Sequence, residues 1–144
     1  MKNDGLQAYL HEAEKHQHTY LLELHELRED LMATGLKSRD FRAAERLLQV
    51  YSELCIGLAK HWVKSIQGKS TSEAYQAFTL LKEHQLITSS ELMTWKRIIG
   101  MRNGLVHDYL NIDLLIVEGI IKEQQYLALH DFATKAIHAL SKVN

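Results

Sequence analysis

The chain has 144 residues, 46% hydrophobic and 24% charged, with a formal net charge of −1 and no proline. That length lets a single domain bury roughly two-thirds of the surface its unfolded chain exposes, which excludes global disorder and leads us to expect one domain over residues 1–144. A lone cysteine, Cys55, excludes an internal disulfide framework and a cysteine-based zinc site, and near-neutral charge excludes strong attraction to nucleic acid spread over the whole surface.

Without proline, glycines and capping residues must punctuate the chain. Leu10, Ala13, Tyr20, Leu24, Leu27 and Leu31 recur in steps of three and four, with Gln17 in the one missing slot, as in an amphipathic helix that Gly35 should stop. A second, long helix is expected from about Arg39-Asp40 to Gly68, with Asp40 as cap or first-turn anion and an apolar seam of Phe41, Ala44, Leu48, Tyr51, Cys55, Leu58 and Trp62. Leu47 and Leu54 widen that seam, so the helix can meet more than one neighbour. Ser70-Thr71-Ser72-Glu73 has capping-box spacing before a short helix carrying Ala74, Ala77, Phe78 and Leu81. Thr88-Ser89-Ser90-Glu91 repeats the device before Leu92, Trp95, Ile98 and Ile99. A final helix is expected after Asn111, running past Leu129, Phe132, Ala136 and Leu140. The pattern predicts an all-α, up-and-down bundle of about five helices.

Membrane and export signals are missing from the pattern. The run Leu114, Leu115, Ile116, Val117 is far too short to span a bilayer, and Met1-Lys2-Asn3-Asp4 leads into a polar stretch rather than a signal-peptide block. A cytoplasmic protein without membrane contact is the expectation.

Nine histidines raise the question of a metal. His11, His18 and His25 recur every seven residues, about 10 Å of helical rise, which is too far for consecutive members to share one ion. Neither the zincin spacing nor any Glu-x-x-His occurs, so these histidines read as a polar helix face and no metal or cofactor is expected. Phosphate-loop, dinucleotide-binding and nucleophile-elbow patterns are absent too. Cys55 in the apolar seam reads as a small buried hydrophobe, and Trp62 and Trp95 as core.

One segment resists a packing explanation: Met101-Arg102-Asn103-Gly104-Leu105-Val106-His107-Asp108-Tyr109. A polar helix end capped by Asn103 and Asp108 is the plain alternative. Asn103 and His107, four apart, can share a helix face. Arg102 and His107, five apart, differ by about 140° around the axis and would not converge on one straight helix. Either the helix ends near Gly104, or a working site joins residues from two chains.

Arg102-Asn103-x3-His107-x-Tyr109 resembles the R-x4-H-x-Y motif of HepT toxins, a branch of the HEPN superfamily. Arg39-Asp40 with Ala44-Glu45-Arg46-Leu47-Leu48-Gln49 resembles the start of that family's long second helix. Ser72-x-x-Tyr75-x-x-Phe78, then Leu81 and Gln85-Leu86-Ile87, resembles its third, and Ile112-Asp113 after the motif is also typical. The likeness covers roughly residues 39 to 120. It departs at Gly57, near which relatives often carry an acidic residue.

The resemblance implies a HEPN-like homodimer that is the toxin of a type VII-like toxin–antitoxin system. Its activity would be metal-independent endoribonuclease cleavage of RNA at a composite site on the dimer interface. Arg102 and His107 would be catalytic, with Asn103 supporting them. A partner nucleotidyltransferase antitoxin of the MntA type would inhibit the toxin by AMPylating Tyr109; no DNA substrate is implied. The competing reading is a non-catalytic substrate- or nucleotide-binding subunit of a two-component nucleotidyltransferase.

The chemistry asked of such a site is modest. RNA supplies the nucleophile, its 2′-hydroxyl. Imidazole titrates near neutral pH and can take or return the proton, while guanidinium offers a charged planar fork to phosphate oxygens.

Overall fold

The computed structural model describes residues 4–107 and 113–143, and every regular element among them is helical. Six helices follow in order: α1 Asp4–Thr34, α2 Ser38–Gln67, α3 Ala74–Glu83, α4 Ser89–His107, α5 Leu114–Lys122 and α6 Leu127–Leu140. α2 is the hub, packing against each of the other five.

The stops fall where the glycines stand. Gly35 (φ 86°) and Gly68 (φ 83°) close α1 and α2 in the left-handed conformation that costs glycine nothing. Asp40 holds the start of α2, its carboxylate accepting the Lys37 backbone N–H at 2.9 Å. At α4 the capping box forms in full: Thr88 N–H donates to Glu91 Oε1 at 2.9 Å, and Glu91 N–H donates to Thr88 Oγ1 at 3.0 Å. The box expected at Ser70 to Glu73 does not form. Glu73 is itself the N-cap residue of α3, its N–H meets Thr71 Oγ1 rather than Ser70, and Ser70 Oγ donates to the Lys60 carbonyl, tying the turn to α2.

The last expected helix is two. Val117 and Ile121 are the buried positions of α5, and the next buried residue is Tyr126, a five-residue step that no single helical stripe makes. The chain breaks there, with Gln124 in the left-handed region (φ 54°). α1 clamps the break from outside: His25 Nδ1 and Tyr126 Oη are 2.7 Å apart, and Arg28 Nε donates to the Lys122 carbonyl at 2.9 Å.

The core gathers around Phe132 of α6. Its ring centre lies 5.0 Å from Phe78, 5.1 Å from Trp95 and 6.1 Å from Trp62, so one side chain joins α2, α3, α4 and α6. Further along, Gln17 fills the gap in the α1 stripe as a buried polar hub. It accepts from Tyr51 Oη at 2.6 Å and meets His130 Nδ1 at 3.2 Å through the same oxygen. A buried amide so partnered avoids the penalty of a lone one.

Cys55 is fully buried, its thiol donates to the Leu129 carbonyl, and burial pushes its pKa up. The thiolate is the reactive form. Native protein should therefore resist a thiol-specific reagent, with one thiol per chain reacting rapidly once denaturant is added. Rapid modification without denaturant would contradict the packing.

Candidate active site at the end of α4

α4 carries the polar segment, and its surroundings set what each side chain can do. Leu92, Trp95, Ile99 and Arg102 form one row at helical spacing, in which Trp95 and Ile99 are buried. Arg102 thus leaves the helix on its packed side. It is half-buried, and its Nε is shielded from solvent with no hydrogen-bond partner among the described residues. A guanidinium nitrogen in that position carries an unmet desolvation cost that an anion can relieve.

Asn103 and His107 stand on the next ridge, about 100° round the axis, with Met93, Lys96 and Gly100, all exposed. Among the described residues, a Cβ added at Gly100 on this ridge would meet no atom within 4 Å. As expected, Asn103 and His107 share a face. The helix, however, does not end at Gly104 but continues through it to His107. Arg102 and His107 therefore lie on unbroken α4, about 140° apart and about 7.5 Å along the axis, and their side chains diverge. Asn103 is mid-helix rather than a cap. Asp108 and Tyr109, and with them Asn111 and Ile112, lie outside the described residues.

A groove of about 660 Å³ runs between α4 and α5, lined by Ile98 and Met101 on one side and Leu115 and Ile116 on the other, over Leu48 and Leu129. Neither Arg102 nor His107 lines it; its polar lining is Thr94, Arg97, Glu123, Gln125 and Tyr126. α5 is incompletely covered, with Leu114 48%, Leu115 75% and Ile116 60% exposed.

Histidines are dispersed rather than clustered. His11 and His18 are exposed, as a polar face requires, but His25 turns inward to Tyr126. His61 lies against Tyr9, ring centres 4.3 Å apart, and burial together with Lys64 lowers its pKa. The same tyrosine accounts for Gly57. A Cβ there would stand 2.9 Å from Tyr9 Oη, so the space over that turn of α2 is already filled by α1. A carboxylate at 57 would have to displace the phenol.

Sequence reasoning missed one feature of this end of the molecule. Arg39, Arg42 and Arg46 form an exposed row on α2. The signal was available as a three-then-four spacing of like charges.

A helical bundle whose fourth helix carries an intact Arg-x4-His is the class of protein these observations define. The chain belongs to the ribonuclease HepT-like family, which matches residues 17–136. It is 34% identical over 85 residues to the mRNA nuclease HepT of Shewanella oneidensis, covering 59% of this chain and 61% of that one. It is 30% identical over 69 residues to the tRNA nuclease HepT of Aphanizomenon flos-aquae, covering 48% and 47%. The chain thus spans about six-tenths and about half of the lengths of these relatives. Two solved structures share the fold over nearly the whole chain. One is a toxin–antitoxin with AMP-PNP (TM-score 0.74, 21% identity, 94% of this chain and 99% of that). The other is a tri-AMPylated Shewanella oneidensis HEPN toxin in complex with an MNT antitoxin (TM-score 0.75, 23% identity, 96% and 99%). No helix among the described residues is long and apolar enough to cross a membrane.

Proposed function

We propose that this chain is the toxin of a type VII-like toxin–antitoxin pair, a metal-independent endoribonuclease acting as a homodimer. One observation carries the reading: Arg102-x4-His107 is intact on an unbroken helix of a ribonuclease HepT-like chain, with the two side chains diverging. A two-fold copy set against the open ridge of α4 brings Arg102 of one chain towards His107 of the partner subunit. The uncovered apolar side chains of α5 offer area for the same contact.

In the joint cleft the scissile phosphate sits on the Arg102 fork, which meets its unpartnered nitrogen and stabilises the extra charge of the phosphorane. The imidazole of His107 takes the proton from the 2′-hydroxyl as its oxygen bonds to phosphorus. The bond from phosphorus to the 5′-oxygen then breaks, and the imidazolium returns the proton to that oxygen. Asn103, one turn before His107, orients the ring. The products are a 2′,3′-cyclic phosphate and a 5′-hydroxyl.

Control is exerted at Tyr109. A partner nucleotidyltransferase of the MNT type joins the tyrosine oxygen to the α-phosphorus of ATP and releases pyrophosphate. The added phosphodiester brings a negative charge to the neighbourhood of Arg102 and fills the cleft with a nucleotide. The AMPylated toxin and the MNT partner of the similar structure support this assignment.

Purified protein should cleave RNA with EDTA present, leaving cyclic phosphate ends. Loss of cleavage on chelation, or 3′-hydroxyl products, would overturn the proposed chemistry.

A further inference from the structure

The net charge of −1 leaves open how such a protein would hold a polyanion, and α2 supplies an answer. Arg39, Arg42 and Arg46 are all exposed and spaced three and four apart, so they stand in one line over about 10 Å of helix. None of them forms an ion pair among the described residues. Glu45, half-buried, leaves the helix to the side of the row. Of the other acids at this end, Asp40 and Asp113 accept helix N-terminal N–H groups, and exposed Glu29 and Asp30 stand in the last turns of α1; none of them pairs with the row among the described residues.

The row lies at the motif's end of the molecule. Trp62 and Trp95 both meet Phe132, while Leu48 and Met101 both line the groove. From that shared aromatic contact α2 runs backwards in number and α4 forwards, so the two pack antiparallel. The first turns of α2 therefore lie level with the last turns of α4, with packed axes about 8–10 Å apart, and the arginine row stands on the solvent face of α2, away from the Ala44, Leu48 and Tyr51 seam.

We propose that Arg39, Arg42 and Arg46 form a phosphate-binding track that holds the single-stranded RNA flanking the scissile linkage. Exposed guanidinium groups without carboxylate partners among the described residues suit phosphate, and a line of three over about 10 Å can meet about three successive phosphates of one strand. The inference rests on the nuclease reading above and names how that site holds its substrate.

The test is fluorescence anisotropy with a labelled single-stranded RNA, at about 50 and 200 mM salt. All variants carry His107→Ala, so that binding is read without cleavage. Arg39→Gln, Arg42→Gln and Arg46→Gln together should weaken binding about tenfold or more at the lower salt. They should also flatten the salt slope by about 2, some 0.7 for each phosphate no longer neutralised. The triple lysine variant at the same positions keeps the charge and should keep the slope. Lys64→Gln, Lys69→Gln and Lys142→Gln together remove the same charge from the opposite end and should leave both quantities unchanged.

Unchanged binding by the triple glutamine variant overturns the track, as does an equal loss in the far-end control. Retained RNA binding with lost binding of the nucleotidyltransferase partner would assign the row to an acidic protein surface and overturn it too. Cleavage by the parent protein is measured alongside. A parent that cleaves while the glutamine triple binds as before removes the track alone; a parent that does not cleave removes the nuclease reading, and anisotropy still decides the track.

Discussion

His107→Ala is expected to lower the single-turnover rate of RNA cleavage by about 10²–10⁴, the range for losing a positioned general acid–base group. Arg102→Ala should cost about 10²–10³, as when a group that stabilises the transition-state charge is removed. The two differ in what else they disturb. His107 is exposed at the end of α4, so its removal should leave the melting temperature where it was. Arg102 is half-buried in the row of Trp95 and Ile99, so truncating it also removes packing. Arg102→Lys separates these effects: it keeps a charge and most of the stem but loses the planar fork. A rate near that of the alanine variant, with stability retained, would show that fork geometry matters. If either alanine variant cleaves at the parent rate, the motif is not the catalytic pair.

The second large effect concerns stability. Phe132→Ala should destabilise the fold by about 3–5 kcal/mol, the usual cost of emptying a buried aromatic site. Phe132 is 3% exposed, and its ring touches those of Trp62, Phe78 and Trp95, so the cavity would open where four helices meet. Domains of this size hold only about 5–15 kcal/mol in total, so the variant should be near its threshold at physiological temperature. Chemical denaturation measures the loss. A shift below about 1 kcal/mol would mean that the neighbouring rings collapse into the space and that no one residue anchors the core.

Much of this architecture could be read from residues alone, for reasons that differ between elements. α1, α2 and α4 were legible because apolar spacing agrees with local punctuation: Gly35 stops α1, Asp40 and Gly68 bound α2, and the Thr88–Glu91 box starts α4. The Ser70–Glu73 box did not form because α3 begins only after Glu73, which is itself the N-cap residue, while Ser70 turns to the Lys60 carbonyl of α2. Splitting the last helix depended on contacts from α1, His25 to Tyr126 and Arg28 to Lys122, which lie about a hundred residues away in sequence. Only the slipped stripe between Ile121 and Tyr126 hinted at it.

The site was legible as a motif and by resemblance, and the 140° between Arg102 and His107 follows from their spacing alone. The structure removes one of the two answers by carrying α4 straight through Gly104. It also places Arg102 inward and His107 outward, a distinction that depends on which neighbours α4 packs against. Spacing within α4 cannot supply that.

The pairing of the two groups across chains is tested most directly by mixing. Arg102→Ala and His107→Ala protein, each inactive alone, would be unfolded together and refolded so that subunits reassort. If every cleft takes its guanidinium from one chain and its imidazole from the other, each mixed dimer regains one intact cleft. Random reassortment should then restore about a quarter of the parent activity per chain. A mixture as inactive as its components, with mixed dimers demonstrably formed, would contradict the composite site.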